Sequence, residues 1–148
     1  MNLRKALTPD TIVIELKAAT KEAVIEELVD VLVAAGKIKD RLEALRAVLE
    51  REKKMSTGMQ SGIAIPHGKT DTVEGLIAAF GMKHAGVDFE ALDGLPSRIF
   101  IMTLSPVNRT GPHIQFLAEV SRQLNDPTIR DRLLQAATPE DVLNIIAG

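Results

Sequence analysis

Three short runs of apolar, strand-forming residues lie in the middle of the chain, between two blocks of helical pattern. This order restricts the fold more than any other feature. The runs are 62–65, 76–82 and 98–104. Ahead of them, Ile12, Ile14 and Leu16 alternate within 11–16 and predict a further strand, with the three side chains on one face. Thr20 caps a helix expected over 21 to about 35, with Val24, Leu28, Val31, Leu32 and Ala35 inward and Gly36 as its stop. Asp40 and Glu43 make a box-like start for a second helix, with Leu42, Leu45, Val48 and Leu49 inward. After the central runs the pattern is helical from Pro112, with Ile114, Leu117, Ala118, Val120 and Leu124 at helix spacing. Asp126-Pro127 and Thr138-Pro139 each set a capping side chain before a proline, which predicts terminal helices over 127–136 and 139–146. Helices before and after a strand cluster can cover both faces of one sheet. The expected fold is therefore α/β, a three-layer α/β/α sandwich with a single mixed β-sheet. The strand order does not follow from the pattern.

The chain has 148 residues, a length that suits one domain over 1–148 with one sizeable core. Its 18 basic and 20 acidic side chains leave a formal net charge of −2, which gives no electrostatic reason to expect nucleic acid. Four Phe and no Tyr or Trp offer little for bases to stack on. Cysteine is absent, so thiolate metal sites and cysteine nucleophiles are excluded, and no oxidising compartment is needed. The start, residues 1–9, lacks the continuous apolar stretch of a secretory signal. No apolar run approaches the length of a membrane span, so no membrane insertion is expected and the cytoplasm is the default compartment.

Several chemical motifs fail on spacing. Gly62 and Gly68 enclose five residues, including the stiff Pro66, where a phosphate-binding P-loop needs four. In Gly58-Met59-Gln60-Ser61-Gly62 the serine stands one place too late for a nucleophile elbow. His67, His84 and His113 are scattered with no H-x-x-x-H pair, so no metal is expected unless a carboxylate completes a site. A Ser-His-Asp set drawn from Ser56 or Ser61, His67 and Asp71 rests on composition alone.

His67 stands apart. It follows Ile63-Ala64-Ile65-Pro66 at the expected end of a strand, where α/β folds commonly place ligands. Pro66 fixes the backbone before it and Gly68 lets the chain turn closely after it. His113 lies in the first turn expected after Thr110-Gly111-Pro112, where free backbone amides favour an anion. His84, in Lys83-His84-Ala85-Gly86, reads as a loop residue with no role. A neutral imidazole is a good nucleophile near pH 7 and can carry a phosphoryl group on nitrogen. Such a carrier needs donors around the phosphoryl oxygens, and residues 51–113 supply imidazole, guanidinium, hydroxyl and backbone amide.

Arg51-Glu52, Ser56-Thr57-Gly58 and Gly62-Ile63-Ala64-Ile65-Pro66-His67-Gly68 together resemble the enzyme IIA domain of the fructose–mannitol class of the bacterial sugar phosphotransferase system. That class includes the nitrogen-regulatory IIA proteins. The likeness continues through Val87-Asp88-Phe89 and Asp93-Gly94 to His113 and Leu117-Ala118, covering nearly the whole chain. The resemblance implies that His67 accepts phosphoryl from an HPr-type phosphocarrier on its far ring nitrogen. It implies that His113 is the second active-site histidine, that Arg51 contacts the phosphoryl group or partner, and that Ser56 and Thr57 contact phosphoryl oxygens. It implies no cofactor, and a mixed sheet between helices. The acceptor it implies is either a IIB-type cysteine on a separate chain or a regulatory target such as a kinase, channel or transporter.

Overall fold

Along one strand, Ile99 and Ile101 pack into a core on one side of the sheet, while Phe100, Met102 and Leu104 pack into a second core on the other. A strand apolar on both faces needs helices on both faces. The computed structural model describes residues 3–147. Met1, Asn2 and Gly148 lie outside the described residues, and with them the first two positions of the N-terminal segment and the last of the expected 1–148 unit. The elements are α1 (Leu3–Ala6), β1 (Ile12–Val13), α2 (Lys21–Ala34), α3 (Arg41–Lys54), β2 (Ile63–Ala64) and β3 (His67–Lys69). After them come β4 (Ile77–Val87), β5 (Ser97–Ser105), α4 (Thr110–Leu124), α5 (Pro127–Gln135) and α6 (Pro139–Ala147). Helices α2 and α3 fill the core on one face; α1 and α4–α6 fill the other. This is the expected α/β/α sandwich. Phe80, Phe100 and Phe116 are wholly buried, each contributing about 1.5–3 kcal/mol.

The sheet is mixed, in the order β1-β4-β5-β2, with β3 also on β5. β4 and β5 are antiparallel; β1 runs parallel to β4, and β2 and β3 parallel to β5. Ile63 pairs with Ile99 and His67 with Thr103, so β2 and β3 keep one register along β5. They form a single edge, broken where Pro66 has no amide hydrogen to donate. The Pro66 carbonyl still accepts from Thr103 N at 3.1 Å.

Helix termini follow their capping residues. Thr20 Oγ1 accepts from Ala23 N at 3.3 Å, and Gly36, at φ +74°, lies just past the end of α2. Asp40 Oδ1 accepts from Glu43 N at 3.1 Å, but the Glu43 carboxylate turns to Arg46, so the box is only half formed. Asp126 and Thr138 likewise accept amides of the helices they precede.

Other expectations fail as well. The first strand is cut to Ile12–Val13, because the chain bends at Ile14–Glu15 before Leu16 N returns to Met82 O at 2.7 Å. Ile12 and Leu16 therefore enter opposite cores instead of sharing a face. In α3 Leu42 is 73% exposed, and Ala44 takes the inward place beside Leu45 and Val48. In α4 Ile114 is 60% exposed and Ala118 lies outside; the buried stripe is His113, Phe116, Val120 and Leu124. Last, β4 continues past Met82 to Val87, so His84 stands on a strand and not in a loop.

Candidate active site

Three elements and one loop meet at the edge made by β2 and β3. His67 is the first residue of β3, so the chain runs on as a short strand past the expected strand end. Its Nδ1 lies 2.9 Å from the Ile65 carbonyl oxygen. A carbonyl only accepts, so Nδ1 carries the ring proton and Nε2 keeps a free lone pair. Burial holds the His67 pKa below the usual histidine value; the Ile65 bond opposes this, and the Arg51 charge adds to the lowering. The ring is therefore neutral at pH 7, in the tautomer with Nε2 unprotonated.

His113, in the first turn of α4, is only 3% exposed. Its ring stands edge-on to that of His67, with centroids 5.4 Å apart and planes at 86°. The Ser105 hydroxyl lies 3.0 Å from Nδ1. Ser105 is buried at the end of β5 with no other hydroxyl partner among the described residues, so we assign its proton to that bond. The ring proton then sits on Nε2, which is buried and without a protein partner. Burial first, then the charges of His67 and Lys69, lower the His113 pKa to about 4, so this ring too is neutral at pH 7.

Arg51, in the last turn of α3, shares with His67 a cleft of about 190 Å³ also walled by Thr57, Met59, Ile65 and Leu117. Its Nη1 donates to the Met55 carbonyl at 3.0 Å, closing the helix end. Ser56 and Thr57 line the same cleft, but their hydroxyl protons are committed elsewhere. Ser56 Oγ donates to Phe89 O at 2.6 Å and accepts from Gly58 N. Thr57 Oγ1 donates to Glu52 Oε1 at 2.5 Å, and Thr57 N donates to Glu52 Oε2 at 2.7 Å. Both hydroxyls serve the loop in this arrangement.

So the fold brings His67, His113, Arg51, Ser56 and Thr57 together. It adds three residues that sequence reasoning missed. Ser105 carried a weak signal, a polar residue closing an apolar strand run. Lys69 sits two residues from His67 on β3, bonds Thr110 Oγ1 at 2.8 Å, and acts on both imidazoles. Its period-two relation to His67 becomes visible only once β3 is known. Glu52 follows Arg51 in a charged run whose pattern carries no signal of a role. His84 lies outside this group, with Nδ1 facing Glu15 and Nε2 facing Leu134 O. Among the described residues, no group of three or more His, Cys, Asp or Glu is placed to hold a metal ion, and no helix is long and apolar enough to cross a membrane.

Residues 5–148 match the family described as "Phosphoenolpyruvate-dependent sugar phosphotransferase system, EIIA 2". The chain is 41% identical over 142 residues to the fructose-specific EIIA component of Haloferax volcanii, covering 95% of this chain and 92% of the relative. In structure it is similar to the nitrogen regulatory protein IIA-Ntr of Neisseria meningitidis, with a TM-score of 0.91 and 28% identity over 97% of this chain and 98% of that one. It is also similar to the Escherichia coli IIA-mannitol enzyme solved in complex with phosphorylated IIB-mannitol, with a TM-score of 0.82 and 30% identity over 96% and 97% of the two chains.

Proposed function

The chain belongs to the EIIA 2 family of the phosphoenolpyruvate-dependent sugar phosphotransferase system, and from that premise we propose that it is a phosphohistidine carrier. His67 accepts phosphoryl from an HPr-type phosphocarrier and passes it to a IIB-type cysteine. Residues 1–148 act as one EIIA unit, working in the cytoplasm beside those partners.

One observation carries the reading: a neutral His67 with its proton held on Nδ1 by Ile65 O, set against a second histidine whose buried Nε2 has no protein partner. The Nε2 lone pair of His67 attacks phosphorus in line with the donor's phosphorus–nitrogen bond. That bond breaks, its electron pair stays with the donor, and a new N–P bond forms on Nε2. The His113 Nε2–H then has an oxygen to donate to, which accounts for a buried donor otherwise unsatisfied. Arg51 supplies a cation at the same cleft. In the second transfer a thiolate attacks phosphorus and the imidazole leaves with the N–P electrons. The sequence has no cysteine of its own, so that acceptor comes from outside it.

The test is labelling. Incubate the protein with the general phosphotransferase proteins and phosphoenolpyruvate, then map the acid-labile phosphoryl group by mass spectrometry. The label is expected on His67 and absent from His67→Ala; normal labelling of His67→Ala overturns the reading. A regulatory reading uses the same chemistry, with the phosphorylation state of His67 controlling binding to a target protein. The similarity to IIA-Ntr favours it. Transfer to a IIB domain distinguishes the two, because only the carrier discharges onto IIB at a catalytic rate.

A further inference from the structure

A buried ion pair is joined to the cleft through Thr57, which Glu52 holds. Lys21, at the start of α2, is 9% exposed, and Glu52, in the last turn of α3, is 5% exposed; their charged atoms are 2.8 Å apart. Nothing in the transfer chemistry above uses either group. Removing two charges from water is costly, and such pairs are poor sources of stability, so a buried pair calls for another explanation.

The partners of Glu52 supply one. Both carboxylate oxygens are spent on Thr57, one on its amide and one on its hydroxyl. The Thr57 carbonyl accepts from Ile65 N at 3.1 Å. The Ile65 carbonyl accepts from His67 Nδ1 at 2.9 Å. An unbroken series of polar bonds thus runs from Lys21 through Glu52, Thr57 and Ile65 to the proton that fixes the His67 tautomer. Around it, Lys21 also reaches Glu90 at 3.3 Å and stands 5.2 Å from the centre of the Phe89 ring, while Phe89 O holds Ser56. Glu90 itself sits at φ +53°, a backbone state that costs energy and is held by its own neighbours.

We propose that Glu52, paired with Lys21, is a positioning residue for phosphoryl transfer: by clamping Thr57 it sets loop 55–59 and, through Ile65, the orientation of the His67 imidazole. The inference rests on His67 as the phosphoryl acceptor. Burial alone pulls the Lys21 pKa down, and the bonds to Glu52 and Glu90 outweigh it, so Lys21 stays a cation throughout the working range. The clamp needs a carboxylate. Gln puts an NH2 donor where Glu52 has its second acceptor oxygen, so the two-oxygen grip on the Thr57 amide and hydroxyl cannot be kept as it stands.

The experiment uses Lys21→Met/Glu52→Gln, which removes both charges and avoids stranding one. Thr57→Val, which deletes only the hydroxyl donor, is the second variant and decides the matter should the first fail to fold. Three quantities are measured: the rate of phosphoryl transfer from phospho-HPr at saturating donor, the KM for that donor, and the His67 tautomer by ¹⁵N NMR in the unphosphorylated protein. The expected result is a rate lowered roughly tenfold or more, toward the ~10²-fold that a misplacement of about 1 Å carries. KM should change little, and the fraction of His67 protonated at Nδ1 should fall. Loss of a direct phosphoryl contact at Thr57 would slow transfer without moving the tautomer. A folded variant with wild-type rate and tautomer overturns the proposal while leaving the carrier reading intact. Absence of label at His67 in the unmodified protein overturns the carrier reading first, and this one with it.

Discussion

Arg51 shows how one side chain can serve two ends. Its bond to Met55 O closes α3, which any cation near a helix C-terminus can do. A lysine would keep the charge and one donor, so Arg51→Lys should unfold at the wild-type temperature. What a lysine cannot reproduce is a planar fork shared between the helix end and the cleft. Transfer through His67 should therefore slow distinctly, toward the ~10²–10³-fold that loss of one oriented donor costs. Lys53→Ala and Lys54→Ala, whose side chains are exposed on the same turn, should change little. Equal impairment of all three variants, or a wild-type rate in Arg51→Lys, would reduce Arg51 to a helix cap. At His113 the split is different: His113→Ala should still take label at His67 but transfer by a similar factor more slowly. His67 was legible from its place between Pro66 and Gly68. Its tautomer was not, since that depends on how the Ile65 carbonyl turns back. Nor were the commitments of Ser56 and Thr57, because the Ser56 partner Phe89 lies 33 residues away and Glu52 hid in a charged run.

Besides the one-turn α1, β3 escaped the sequence. Three residues, His67-Gly68-Lys69, carry too short a pattern to read as a strand, and Pro66 separates them from the apolar run they extend. Only pairing with β5 in the register already set by β2 makes them one. The longer helices were legible, α2, α3, α5 and α6 from a capping residue and an apolar pattern and α4 from its pattern; their inward faces were less so, as Leu42 and Ile114 show. β3 also depends on the bare backbone of Gly68. A Cβ there would lie 3.0 Å from the Ala47 carbonyl carbon and the Val48 nitrogen of α3, and a helix backbone cannot yield. Gly68→Ala should cost about 1–3 kcal/mol in urea unfolding, the usual range for overpacking. Since β3 must then move from α3, phosphorylation of His67 should slow as well. A variant with unchanged stability would show that β3 is not pressed against α3.

Across the whole molecule the three histidines oppose one another. His113 has its pKa lowered from 6.5 to about 4 by burial, His67 and Lys69, and His67 is lowered too. A histidine depressed in the fold takes up its proton more readily when unfolded. Its contribution is intact above pH 6.5 and is lost as pH falls toward the folded pKa, by at most roughly 3 kcal/mol for His113. His84 behaves in the opposite sense. Its two ring nitrogens face the Glu15 carboxylate and the Leu134 carbonyl, both acceptors, so only the imidazolium satisfies both. The bond to Glu15 and the bond to Leu134 raise its pKa, and this contribution is complete below pH 6.5 and lost as pH rises through the folded value. The carboxylates whose pKa values are depressed, Glu15, Glu43 and Glu119, titrate below 4.5 and leave the interval above it to the histidines. Stability to urea should therefore be greatest near pH 6.5 and decline on both sides. His113→Asn should make the decline between pH 6.5 and 4.5 shallower, leaving the part that belongs to His67, with the alkaline side unchanged. His84→Gln should flatten the alkaline side alone and, by freeing Leu134 O, speed amide exchange in α5 at pH 6. A decline on the acid side as steep in His113→Asn as in the unmodified protein would assign it to His67 instead, whose pKa is also lowered, first by burial.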